Sequence, residues 1–137
     1  MKKVNVEILN TLARIAEAND DSNIKFCAAI VRGNKIVSYG FNRNKSHPFQ
    51  AKFSKNPEAI FLHAEVHAIK NALRELTVEE IKNTELYITR VKKPKSYSKH
   101  FVWGLAKPCC GCERAIAEFG IKRTVYTTDE TGKYEVL

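Results

Sequence analysis

Two stretches of helical period, 62–76 and 108–119, each lie between short apolar runs of strand character, and this alternation constrains the fold most. The runs are KIVSYGFN before the first, ELYITR between the two and RTVYTT after the second. A strand, a helix and a second strand in one sheet form a right-handed crossover with parallel strands, so these three runs are expected to point the same way. Upstream, KFCAAIVR and KIVSYGFN are separated by Gly33-Asn34, a turn pair that predicts an antiparallel hairpin. Ile8, Leu9, Leu12, Ile15 and Ala16 carry a helical stripe within residues 4–18, closed by Asn19-Asp20-Asp21-Ser22. YEVL is expected to return as a short last strand. The order α-β-β-α-β-α-β, with a further β, gives an α/β fold with helices on both faces of a mixed sheet of four or five strands. The stretches 43–62 and 91–107 read as long loops.

At 137 residues the chain is expected to be one domain over 1–137, with a core that needs no staples. No run approaches the roughly 20 apolar residues of a membrane span. The opening MKKVNVEILN has no continuous apolar core and is not read as a signal peptide. A cytoplasmic protein without membrane contact is therefore expected, where structural disulfides are rare. That setting bears on the four cysteines, three of which fall in AKPCCGCERA as Cys109, Cys110 and Cys112. Cys109 and Cys112 form a C-x-x-C pair, which serves either redox exchange or metal ligation. Cys27 sits in an apolar run and reads as core.

His63-Ala64-Glu65 opens the second helix and Pro108-Cys109-Cys110-Gly111-Cys112 opens the third. Both helix N-termini should meet at the carboxyl edge of the sheet. His63, Cys109 and Cys112 make three metal donors, and three donors with one open position is the pattern of a catalytic zinc. Glu65 lies two residues from His63, where a carboxylate can take a proton from metal-activated water and pass it to a leaving group. Two alternatives stay open at this point: a dithiol redox pair, and a structural zinc with Cys110 or His67 as fourth ligand. A metalloprotease is set aside, because H-E-x-x-H needs glutamate where Ala64 stands. His67 is expected beside the ligands or partly exposed.

H-x-E followed by P-C-x-x-C resembles the zinc signature of the cytidine deaminase superfamily, most closely the deoxycytidylate (dCMP) deaminases. The resemblance spans nearly the whole chain and implies the three-layer α-β-α fold of that family. It implies one catalytic Zn2+ held by His63, Cys109 and Cys112, with Glu65 as the proton shuttle. It further implies that the Ala64 backbone N–H contacts the base and that Asn42, in YGFN, binds the sugar. The activity implied is hydrolytic deamination of a cytosine nucleotide, dCMP to dUMP, by a homo-oligomer.

A net charge of +8 suits an anionic ligand. RVKKPKSYSKHFVW interleaves Arg90, Lys92, Lys93, Lys95 and Lys99 with Tyr97, Phe101 and Trp103, while Arg43, Lys45, His47, Lys52 and Lys55 occupy the earlier loop. Either set suits a phosphate, and the first also suits stacking on single-stranded nucleic acid. A deaminase of polymeric nucleic acid is thus the second reading. A free nucleoside, or another purine- or pterin-like base, is the third enzymatic reading; the reading from another class is a non-catalytic, zinc-stabilised nucleic-acid-binding module, which has no need of Glu65.

Overall fold

The hairpin expected around Gly33-Asn34 organises one end of the sheet. Both turn residues take positive φ, 58° and 66°, as a two-residue hairpin loop with the twist of its flanking strands requires. The computed structural model describes residues 3–18, 25–42, 63–95 and 97–137. The expected stop signal at 19–22 and the loop 43–62, with its basic residues, lie outside the described residues. Strands β1 (Lys25–Arg32) and β2 (Lys35–Phe41) pair antiparallel. β1 also pairs antiparallel with β3 (Glu85–Lys92), which runs parallel to β5 (Arg123–Thr127). β6 (Tyr134–Val136) closes that edge antiparallel. The order β2-β1-β3-β5-β6 therefore gives β2, β3 and β5 one common direction, as the crossovers dictate.

The sheet has six strands, one more than the sequence pattern supplies. The extra strand, β4 (Val102–Gly104), lies within the stretch expected to be loop and pairs antiparallel with Arg90–Lys92. Three residues are too few to display a period, so nothing local announces it. β3 itself runs two residues beyond ELYITR, through Lys92.

Alternation along β1 and β3 builds two cores. Cys27, Ala29, Val31, Tyr87 and Val91 face α1 (Val6–Glu17), whose Leu9, Leu12 and Ala16 are wholly buried. Each such leucine contributes about 1.5–3 kcal/mol by leaving water. Ala28, Ile30, Leu86 and Ile88 face the other way, against α2 (Ala64–Ala72) and α4 (Cys110–Phe119). Helices thus cover both faces. Asn5 caps α1 by accepting the Glu7 N–H at 3.2 Å. The helical pattern over 62–76 is broken: α2 stops at Ala72, and α3 (Val78–Ile81) starts afresh at Thr77, whose hydroxyl and Glu80 form a reciprocal capping box. α2 ends at its own C-cap, Leu73, and the Thr77 cap begins a separate helix.

One hydroxyl joins three strands at the site end of the sheet. Thr127, fully buried, donates to the Gly104 carbonyl at 2.7 Å and accepts the Arg90 N–H at 3.1 Å. Thr127→Val keeps the shape and strands both backbone groups. The expected loss is about 2–6 kcal/mol, from about 1–3 kcal/mol for each of the two orphaned groups. Urea unfolding measures it, and an unchanged midpoint would show that water replaces the hydroxyl.

Candidate active site

His63 and Cys109 occupy equivalent places, the N-cap positions of α2 and α4. Both have extended backbones, with ψ of 155° and 171°, and neither side chain caps its own helix. Freed from that task, the imidazole and the thiol turn toward each other. Cys112, two residues into α4, completes the group. His63 Nδ1 lies 3.4 Å from Cys109 Sγ and 3.3 Å from Cys112 Sγ, and all three donor atoms fall within 4.8 Å of one another. Tetrahedral zinc, with Zn–S near 2.3 Å and Zn–N near 2.0–2.1 Å, holds sulfur and nitrogen about 3.6 Å apart. The donor set and its spacing therefore fit one zinc ion with small adjustments. Both helix N-termini also point their positive ends at this spot, which favours anionic groups there.

The protons in the cluster are shared unevenly. A hydrogen bond from Cys112 above all, with His63 aiding against the cost of burial, draws Cys109 down to about 3. The same bond and burial push Cys112 well above the usual thiol range. The bond to Cys109 raises His63, against the opposing effect of burial. Thiolate is the form in which cysteine binds a metal, so an entering cation would expel whatever protons the two thiols hold.

Glu65 is buried at the second position of α2. Burial raises its carboxyl above the usual range, while its own backbone N–H, His63 and a hydrogen bond with Cys112 pull it back. A carboxyl held this way, in contact with the donor cluster, is placed to exchange protons rather than to form an ion pair. Ala64 is the first residue of α2, so its N–H belongs to the turn that has no intrahelical acceptor. Asn42 directly follows β2 and accepts the Phe26 N–H through Oδ1 at 3.0 Å. That bond fixes its side chain on the strand whose Gly40 lies against Ala64.

Neither residue weighed as a fourth ligand joins the donor cluster among the described residues. Cys110 is exposed. His67, expected beside the ligands or partly exposed, is buried at 9% exposure, and its Nδ1 accepts the Phe41 N–H at 2.9 Å. It docks α2 onto β2. Cys27 is enclosed in the core as expected, and burial pushes its thiol up to about 12.

Several contributors carry no sequence signature. Residues 103–106, which lead into Pro108-Cys109, are held by the turn after β5. Trp103 N–H donates to Thr131 Oγ1 at 3.1 Å, Leu105 N–H to Asp129 Oδ1 at 3.0 Å and Ala106 N–H to the Thr127 carbonyl at 3.0 Å. These threonines and this aspartate look like ordinary turn residues until the register brings them beside β4. The basic loop is partly dismantled as a group: Lys92 pairs with Asp129 at 2.7 Å, whereas Lys93 and Lys95 lie over the rings of Phe101 and Tyr97.

Fold and donor set together define a class: a mixed-sheet α/β protein whose two crossover helices present three metal donors beside a buried carboxylate, as in metal-dependent hydrolases. The sequence matches the family model of the cytidine and deoxycytidylate deaminase zinc-binding region over residues 3–128, and the chain belongs to that family of zinc-dependent hydrolytic deaminases. Solved structures share the fold. A dCMP deaminase from the cyanophage S-TIM5, in its apo form, is 24% identical, covering 94% of this chain and 88% of its own, with a TM-score of 0.56. The same phage enzyme in complex with dCMP and dUMP aligns at 21% identity over 92% and 83% of the two chains, TM-score 0.59. A cytidine deaminase from Burkholderia pseudomallei aligns at 18% identity over 98% and 92%, TM-score 0.61. No curated protein matches the sequence significantly. Among the described residues no helix is long and apolar enough to cross a membrane.

Proposed function

We propose that the chain converts dCMP and water to dUMP and ammonia, with His63, Cys109 and Cys112 holding one zinc ion and Glu65 moving the protons. The observation that carries this reading is the buried Glu65 carboxyl in hydrogen-bond contact with a metal-fitting His-Cys-Cys cluster. When bound, the zinc supplies Lewis acidity that makes water a nucleophile near neutral pH. Glu65 accepts a proton from that water and delivers it to the ring nitrogen beside the amino-bearing carbon. Once the water oxygen has bonded to that carbon, Glu65 takes its remaining proton and passes it to the amino group, the C–N bond breaks and ammonia leaves. The Ala64 N–H orients the base, and Asn42 orients the sugar.

A nucleotide rather than a nucleoside is favoured by the net charge of +8 and by the likeness to a phage enzyme solved with dCMP and dUMP. A second reading, deamination within a single strand, has one observation behind it. Tyr97, with Lys95 over its ring, is 76% exposed, a surface on which a base can stack. Ammonia release by the zinc-loaded protein separates them, across cytosine and adenine nucleosides, their mono- and triphosphates, single-stranded DNA and tRNA. Release from dCMP alone is the expected result. Release from a polymer alone would transfer the activity to the second reading.

A further inference from the structure

Four residues form a row across the sheet at the site end. Phe26 of β1 is opposite Arg90 of β3, and Arg90 is opposite Gly104 of β4. The antiparallel register of Cys27 with Phe41 puts Asn42 opposite Phe26 on the other side. Residues directly opposed across a sheet point to the same face. For this row that face is the one carrying the candidate site, because Phe26 packs against the cluster containing Ala64 and Cys112. The row therefore forms a floor beside the N-termini of α2 and α4.

Arg90 lies along this floor. Its stem crosses Gly104, where a side chain of any size would meet Arg90 Cδ at 2.9 Å. Its guanidinium carbon stands 5.4 Å from the Phe26 ring centroid. Nε is enclosed and, among the described residues, meets no hydrogen-bond acceptor. The nearby Asp129 carboxylate is engaged by Lys92 and the Leu105 N–H. An enclosed guanidinium nitrogen that meets no acceptor is costly unless an oxyanion completes it. The other basic residues of the segment differ: Lys93, Lys95 and Lys99 are exposed.

We infer that Arg90 is the residue that recognises the substrate's phosphate, with Phe26 as the platform that holds its guanidinium flat. The inference rests on the nucleotide reading above and names the group that discriminates nucleotide from nucleoside. Arg90 Nε stays beside Gly104, so the guanidinium lies over β3 toward β4 and the Phe26 ring of β1 reaches it. From there to the strand that ends in Asn42 is about two strand spacings, roughly 10 Å. A nucleotide whose sugar is oriented by Asn42 can span that distance and bring its phosphate to the guanidinium, whose fork suits two phosphate oxygens at once.

The test compares wild type, Arg90→Gln and Arg90→Lys as zinc-loaded proteins. Two ratios are read: kcat/KM for dCMP over deoxycytidine, and the Kd of deoxyuridine over that of dUMP by calorimetry, which needs no turnover. Arg90→Gln is expected to lower both ratios by about 10- to 100-fold, the worth of charge-assisted hydrogen bonds, with the kinetic loss chiefly in KM. Arg90→Lys should recover part of each, since it restores the charge without the fork. A wild type that prefers dCMP, with both ratios unchanged in Arg90→Gln, would overturn the assignment while leaving the nucleotide reading intact. A wild type indifferent to the phosphate would overturn both.

Discussion

Glu65→Gln is expected to bind zinc and fold as the wild type does, and to lose turnover by about 10²–10⁴-fold or more. The side chain is isosteric and retains an oxygen that can accept the hydrogen bonds given to Glu65. It cannot carry a proton from water to the ring and then to the amino group. Because the proposed mechanism gives Glu65 two transfers, the lower end of that range is a minimum for it. Stability should not fall, since burial already disfavours the charged carboxylate that the amide replaces. Three measurements check the result together: ammonia release, zinc per chain and the urea midpoint. Turnover near the wild-type rate would remove Glu65 from the chemistry. Loss of zinc would make it a ligand. A non-catalytic binding module would keep its nucleic-acid affinity in this variant, with no turnover to lose.

The elements with enough length to show a period were legible in the sequence. KFCAAIVR corresponds to β1 residue for residue, and the stripe of Leu9, Leu12 and Ala16 is the buried side of α1. The common direction of β2, β3 and β5 followed from the crossovers alone. His63, Cys109 and Cys112 could be read because ligand chemistry permits few residue types, and helix N-termini bring distant positions to one sheet edge. Other features depend on what lies across the sheet. β4 exists because Val102–Gly104 finds the free edge of β3 beyond the end of β5. His67 is buried because the Phe41 N–H needs its Nδ1. Arg90 looked like one more cation in a basic run, and only the register with Phe26 and Gly104 separates it from the exposed lysines that follow. The break between α2 and α3 is the exception, since Thr77 and Glu80 spell a capping box that a reading centred on apolar spacing passes over.

Gly40→Ala is expected to be the most damaging single-methyl change in the described chain, and its cost ties the sheet to the catalytic group. A Cβ on Gly40 would lie 2.2 Å from the Ala64 carbonyl oxygen, 2.2 Å from the Ala68 nitrogen and 2.8 Å from the Ala68 Cα. All three are backbone atoms of α2, so no side chain can swing away. The helix has to lift from β2 as a unit, which breaks the Ser38 Oγ bond to the Ala68 carbonyl, 2.8 Å, and the His67 bond to Phe41. The expected loss is more than about 3 kcal/mol, beyond the usual range for overpacking because backbone meets backbone. Ala64 separates His63 from Glu65, so the same displacement moves the proposed metal donor and the proposed proton carrier off their positions opposite α4. Zinc per chain and turnover should therefore fall together with the urea midpoint, even in the fraction that remains folded. Gly33→Ala supplies the contrast. Its Cβ would meet nothing within 4 Å, and only the positive φ of 58° opposes it, at about 1–2 kcal/mol. That variant should lose stability modestly and keep full zinc occupancy and turnover. Equal behaviour of the two variants would mean that β2 and α2 are not in backbone contact. A large loss in Gly40→Ala alone would establish that the first turn of α2, and with it His63 and Glu65, is positioned by the one residue of β2 that has no side chain.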